Sequence, residues 1–193
     1  MPFAELLPAE DGYVSKQGTS YGRTKTGSYI SFYRTTPAKS SSIYRRGYVE
    51  FDISSIPDNA VIDSVLLYYF GYRRVDTYTR YIRPMAFRPS ISSNQTVYDD
   101  VGDGTPYYSA QGFPELFNGA AVGDYWHPWS VDPKADLQSR LVDDWFAFGF
   151  QGVESSDDKY ADIYSIEYCI NLPLLEVHYT IPPVTGGILV QII

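Results

Sequence analysis

The chain has 193 residues, a formal net charge of −8 and one cysteine. These values exclude an intrachain disulfide framework and argue against general nucleic-acid binding, which needs basic residues to neutralise phosphate. With 44% hydrophobic and 20% charged residues, the composition is that of a globular domain, long enough to bury a core without metal or disulfide staples.

The first residues, Met1-Pro2-Phe3-Ala4-Glu5, carry neither a basic segment nor a long apolar one, so no secretory leader is read there. Gly18-Thr19-Ser20-Tyr21-Gly22 fits the pattern G-x-S-x-G. A nucleophile elbow needs a helix after the serine. Arg23-Thr24-Lys25-Thr26-Gly27-Ser28 is not a helical sequence, so a Gly/Ser loop is the better account. Val49, Phe51 and Ile53 alternate with Glu50 and Asp52, a period of two that predicts a strand. Ser55-Ile56-Pro57-Asp58-Asn59 is a turn, and Val61 to Phe70 predicts a second, apolar strand.

Arg73, Arg74, Arg80, Arg83 and Arg88 cluster in sequence with Tyr72, Tyr78 and Tyr81. Guanidinium forks pair with carboxylates, and aromatic faces stack on sugar rings, which would suit a uronate polymer. The competing reading is an exposed sheet edge kept soluble by charge. Asn94-Gln95-Thr96 is a glycosylation sequon. Asp99, Asp100 and Asp103 fall in a glycine-containing stretch and are candidate calcium ligands. Their spacing is not that of an EF-hand, and a solvated turn competes. Trp126-His127-Pro128-Trp129 offers a stacking platform, unless Trp129 belongs to the core.

Asp132 as N-cap and Pro133 at the first helical position predict a helix, with Leu137, Leu141 and Trp145 on one face and Gly149 just beyond. Phe146, Phe148 and Phe150 alternate along a later strand, as do Leu175, Val177, Tyr179 and Ile181, with His178 on the polar face. The two histidines, His127 and His178, have no spacing that suggests a metal or a triad. After Pro182-Pro183 and the Gly186-Gly187 hinge, the chain ends in Ile188-Leu189-Val190-Gln191-Ile192-Ile193. An apolar hexamer of this kind is an aggregation hazard unless it docks. It can add to its own sheet or pair with a neighbouring subunit.

The fold expected is all-β: a jelly-roll-like antiparallel β-sandwich with one short helix near 132–146. Residues 1–181 form the domain, and 182–193 a hinge and C-terminal assembly strand. Phe51, Leu66, Phe148 and Val177 are expected in the core. Tyrosine is unusually abundant, at 19 residues, which suits pleated surfaces and wet contact faces. Residues 1–90 carry 12 basic and 8 acidic side chains, and residues 91–193 carry 3 and 15. Such asymmetry gives two electrostatic poles unless the two halves interleave in space.

The stretch Arg45-Arg46-Gly47-Tyr48-Val49-Glu50-Phe51-Asp52, the turn through Pro57, and the strand Ala60 to Tyr68 together resemble the signature of DNRLRE-type β-sandwich domains. Ala9 to Val14, Trp129 to Asp132 with the helix after it, Phe148 to Phe150, and Pro173 to Tyr179 are similar to that family's other segments, in order. Gly47 departs from the pattern, and 71–125 has no counterpart in it. The resemblance implies a jelly-roll sandwich used outside cells as a non-catalytic adhesion, spacer or polysaccharide-binding part, some relatives binding acidic polysaccharides such as alginate.

The function expected is therefore a structural or attachment subunit of a virion or extracellular assembly, with a binding module for an acidic polysaccharide as the alternative. No enzyme activity, cofactor, nucleic acid or membrane span is expected. The ligand candidates are Tyr72, Arg73, Arg74, Arg80, Trp126 and Trp129. Ile188, Leu189, Val190, Ile192 and Ile193 are expected in an intersubunit contact of a homo-oligomer.

Overall fold

The structure is a computed structural model that describes residues 2–35, 42–74, 79–111, 120–123, 129–154 and 159–183. Among these the chain forms thirteen strands and two α-helices: β1 (Phe3–Leu6), β2 (Pro8–Gln17), β3 (Ser20–Thr24), β4 (Tyr29–Thr35), β5 (Ile43–Asp52), β6 (Val61–Tyr69), β7 (Gly71–Arg74), β8 (Thr79–Pro84), α1 (Asn94–Val101), β9 (Tyr108–Gln111), β10 (Ala120–Gly123), α2 (Lys134–Arg140), β11 (Trp145–Gly152), β12 (Lys159–Tyr164) and β13 (Leu174–Thr180). All strand pairs are antiparallel. The smaller sheet runs β1-β13-β6-β10. The larger runs β7-β12-β4-β5-β11-β8-β9, with β2 also paired to β5 and β3 to β2. The architecture is thus the all-β sandwich expected. No helix among the described residues is long and apolar enough to cross a membrane.

β5 is the hub of the larger sheet. One of its edges carries β2, and the other carries β4 along Ile43–Arg45 and then β11 along Gly47–Asp52. Its alternation sends Val49 and Phe51 into the space between the sheets, where they meet Phe146, Phe148 and Phe150 of β11 and Leu67, Leu175 and Val177 of the smaller sheet. The opposite face of β5 and β11 is not solvent. Tyr48, Trp145 and Ala147 are covered there by Met85, Val97, Tyr98 and Val101, so α1 and the chain before it form a third layer. β5 keeps its period of two, and because the third layer covers its outer face, Glu50 on that face is buried. Its carboxylate accepts hydrogen bonds from Arg88 Nε (2.7 Å), the Ser90 amide (2.8 Å) and the Ser90 hydroxyl (3.0 Å).

Two glycines permit this packing. A Cβ on Gly47 would lie 2.5 Å from Ile30 Cγ2, and one on Gly149 would lie 2.9 Å from Val101 Cγ1. Gly47 is where a core side chain presses against the strand. Gly149 lies inside β11 and lets α1 approach the sheet; it does not close a helix.

The expected helix forms as α2 and continues through a 3₁₀ turn over Leu141–Asp143. Asp132 Oδ1 accepts the Lys134 amide at 2.9 Å. Leu137 and Leu141 enter the core. Gln138 extends the smaller sheet's bonding, accepting from the Ile62 amide and donating to the Ala60 carbonyl. Asp144 adopts a left-handed conformation, φ 61°, and ends the turn. Trp145 therefore starts β11 and does not share the Leu137 face. α1 was not read from the sequence. Its N-cap is Ser93, whose hydroxyl accepts the Thr96 amide at 3.1 Å.

Phe51, Phe148 and Val177 are fully buried, and Leu66 is 2% exposed. Leu66 differs in placement. Val65 and Leu67 point into the inter-sheet core, so alternation puts Leu66 on the smaller sheet's other face. Charge does not divide into poles, because β5 of the basic half pairs β11 of the acidic half, and β4 and β6 likewise pair β12 and β13.

Candidate functional site

Four tyrosines from separate segments converge at the β7 edge of the larger sheet. Tyr29 and Tyr164 are direct cross-strand partners on β4 and β12. Tyr72 comes from β7, which opposes Arg73 to Asp162 and Gly71 to Ile163. One step on β12 therefore matches two on β7, which makes Tyr72 the extra residue of a β-bulge. A bulge re-aims a side chain, and here it lays the Tyr72 ring on Tyr29, with centroids 4.0 Å apart and planes 12° apart. Tyr168 stands on the 3₁₀ turn Ile166–Tyr168 and stacks on Tyr164 at 3.9 Å and 17°. The two stacks adjoin, with Tyr72 5.6 Å from Tyr164 and Tyr29 6.0 Å from it. Tyr72 is 40% and Tyr168 36% exposed, so these two are the solvent-facing members of the stacks.

Buried polar groups fix the turn that carries Tyr168. The Ser165 hydroxyl donates to the Gly27 carbonyl at 2.6 Å, and the Ile166 amide donates to Asp11 Oδ2 at 2.9 Å. Asp11 is 1% exposed. Burial pushes its carboxyl up to about 7, with Glu167 and Glu10 adding to the rise and the Ile166 amide opposing it. Within the stacks, a hydrogen bond to Tyr72 raises Tyr29 to about 12, and a hydrogen bond to Tyr168 raises Tyr164.

A second concavity lies over α1. A groove of about 880 Å³ is lined by Lys16, Tyr44, Arg46, Tyr98 and Glu154, among others, and meets a smaller cavity of about 380 Å³ at Ala86, Asp100 and Asp103. Several of its polar groups hold the third layer. Arg46 stacks over the Tyr98 ring at 4.0 Å, donates to the Tyr98 carbonyl at 2.7 Å and pairs with Glu154 at 2.8 Å. Asp100 accepts the Ala86 and Phe87 amides, each at 3.0 Å. Burial raises the Asp100 carboxyl, and those two amides oppose the rise. In the smaller cavity Asp136 accepts the Tyr107 hydroxyl at 2.6 Å, and Arg140 is held by Asp143 and the Ala86 carbonyl. The groove residues Lys16, Arg46, Asp99, Asp100, Asp103 and Glu154 carry more acid than base, which disfavours an anionic ligand there.

Of the sequence candidates, Tyr72 lies at the platform. Arg73 and Arg74 follow it on β7, in register with Asp162 and Ala161. Arg80 is corrected: it is fully buried, because β8 pairs with both β11 and β9 and is not an edge. Arg83 donates to Gln151 and the Gly104 carbonyl, and Arg88 pairs with Glu50. Arg80, Arg83 and Arg88 therefore do not converge on one ligand surface.

Trp129 is also corrected. It packs against the core, stacks on Phe148 with centroids 5.9 Å apart, and donates to the Val65 carbonyl at 2.9 Å. Asp99 and Asp100 lie on the last turn of α1 and not in a loop. Among the described residues no group of three His, Cys, Asp or Glu side chains could hold a metal ion. Ser20 belongs to the β2–β3 hairpin, whose turn holds Gly18 at φ 59°, so no helix follows the G-x-S-x-G serine. His178 binds Glu176 at 2.6 Å and stacks on Phe3. Trp126 and the tail residues Ile188, Leu189, Val190, Ile192 and Ile193 lie outside the described residues.

Tyr29, Tyr164 and Tyr168 were not singled out from the sequence. Its only signal for them is the tyrosine abundance and the four-residue spacing of Tyr164 and Tyr168. No family model and no curated protein matches the chain. The likeness to DNRLRE-type domains rests on the sequence pattern.

Proposed function

We propose that this chain is a non-catalytic attachment module of a virion or extracellular assembly, and that it meets an acidic polysaccharide through the tyrosine platform. The observation that carries this reading is the pair of tyrosine stacks at a sheet edge, with Tyr72 and Tyr168 the more exposed partners. Exposed ring faces supply contact area at low conformational cost, and phenol hydroxyls supply hydrogen bonds at the rim.

Calorimetric titration with alginate, pectate and a neutral glucan tests the reading. The expected result is binding to at least one uronate polymer that weakens as salt rises and is lost in Tyr72→Ala. Unchanged affinity in Tyr72→Ala, or no binding to either uronate polymer at low salt, would overturn it.

A further inference from the structure

We infer that the platform is also a site of oxidative cross-linking, in which Tyr29 couples to Tyr72 and Tyr164 to Tyr168 as intramolecular dityrosines. The inference is independent of what the platform binds. Coupling two phenols needs ring carbons ortho to the hydroxyls to meet. Each stack supplies that arrangement: planes 12° and 17° apart, centroids 4.0 and 3.9 Å apart. With the rings this close and nearly parallel, ortho carbons of the two come within reach of each other. The neighbouring tyrosine contacts are less suited to coupling. Tyr21 and Tyr98 meet edge to face at 66° with centroids 5.5 Å apart, and Tyr72 and Tyr164 are tilted by 47°. Tyr72 and Tyr168, the more exposed partners, give a soluble oxidant access.

The chemistry needs a one-electron oxidant from outside, such as a peroxidase fed with peroxide. Each phenol gives up one electron and its phenolic proton. The two phenoxyl radicals join through an ortho C–C bond, and the two ring protons at that bond then move to the oxygens. Two electrons and two protons leave per link and reduce one peroxide to two waters. The Tyr29–Tyr72 link would fasten edge strand β7 to β4 across β12, closing the sheet edge covalently. The Tyr164–Tyr168 link would lock the turn that carries the outer ring.

The test is photo-oxidation of the intact chain at high dilution with ruthenium tris-bipyridyl and persulfate, persulfate taking the two electrons per link. The monomer is then digested, and cross-linked peptides are identified by mass and dityrosine fluorescence. The expected monomer carries peptides joining Tyr29 to Tyr72 and Tyr164 to Tyr168, each lighter by two hydrogens. Tyr72→Phe, which keeps the ring and loses the phenol, should abolish the first link and keep the second. Tyr168→Phe should do the converse. An oxidised wild-type monomer without these two peptides, or a double variant with wild-type monomer fluorescence, would overturn the inference. Peptide mapping of the wild type needs no variant to fold.

Discussion

Phe148 is the residue on which the inter-sheet core turns. Its ring meets Phe146 with centroids 5.0 Å apart and 84° between planes, Trp129 at 5.9 Å nearly parallel, Tyr107 at 6.0 Å and Phe51 at 6.3 Å, the last two edge to face. Phe148→Ala removes the ring from a fully buried site. A Phe→Ala change in a core costs about 3–5 kcal/mol. Four aromatic partners, each worth roughly 0.5–1.5 kcal/mol beyond area, place this site at the upper end, near 5 kcal/mol. In a domain of this size that shifts the thermal midpoint by roughly 10–20 °C. Urea unfolding followed by tryptophan fluorescence measures it directly, with Trp129 and Trp145 as buried or half-buried reporters. The exposed Phe87→Ala serves as control, since Phe87 is 55% exposed. A loss below about 1 kcal/mol, no larger than that control, would refute the placement of the core.

The third layer is tested by Gly149→Ala, whose new methyl meets the Val101 side chain and backbone. Overpacking there should cost about 1–3 kcal/mol and raise amide exchange across α1. Glu50→Ala removes the acceptor of three hydrogen bonds. It should cost about 1–3 kcal/mol, and proteolysis at 88–92 should report the loosened segment. Asp11 titrates at about 7 when folded, above its ordinary 3.8. Its stabilising share is therefore complete below about pH 4 and is withdrawn as pH rises through about 7. Denaturation midpoints should fall over that window in the native chain, and Asp11→Asn should flatten the slope.

Much of the sandwich was legible because its strands obey a period of two: Val49 and Phe51, the three phenylalanines of β11, and Leu175 and Val177. α2 was legible from Asp132-Pro133. Trp145 misled because it continues an i, i+4, i+8 series past Asp144, where a left-handed residue ends the helix. α1 was hidden by aspartates and glycine that read as a turn, although Val97, Tyr98 and Val101 lie on its buried face. Arg80 is buried because β8 has a neighbour on both sides, a fact of sheet order that no local pattern records. The platform was legible only at Tyr72. Tyr29 and Tyr164 become neighbours through β4–β12 pairing, and Tyr72 turns to them through a bulge. Both are tertiary facts.

The platform as ligand-contacting surface is the central claim. It is tested most directly by saturation-transfer and chemical-shift mapping of the tyrosine ring protons, titrating short guluronate and galacturonate oligomers into the intact chain. The account predicts that the rings of Tyr72 and Tyr168 respond most and those of Tyr29 and Tyr164 next, while Tyr44 and Tyr98 in the groove beside α1 stay unmoved. Responses confined to Tyr44 and Tyr98, or an unperturbed platform while the oligomer binds, would contradict it.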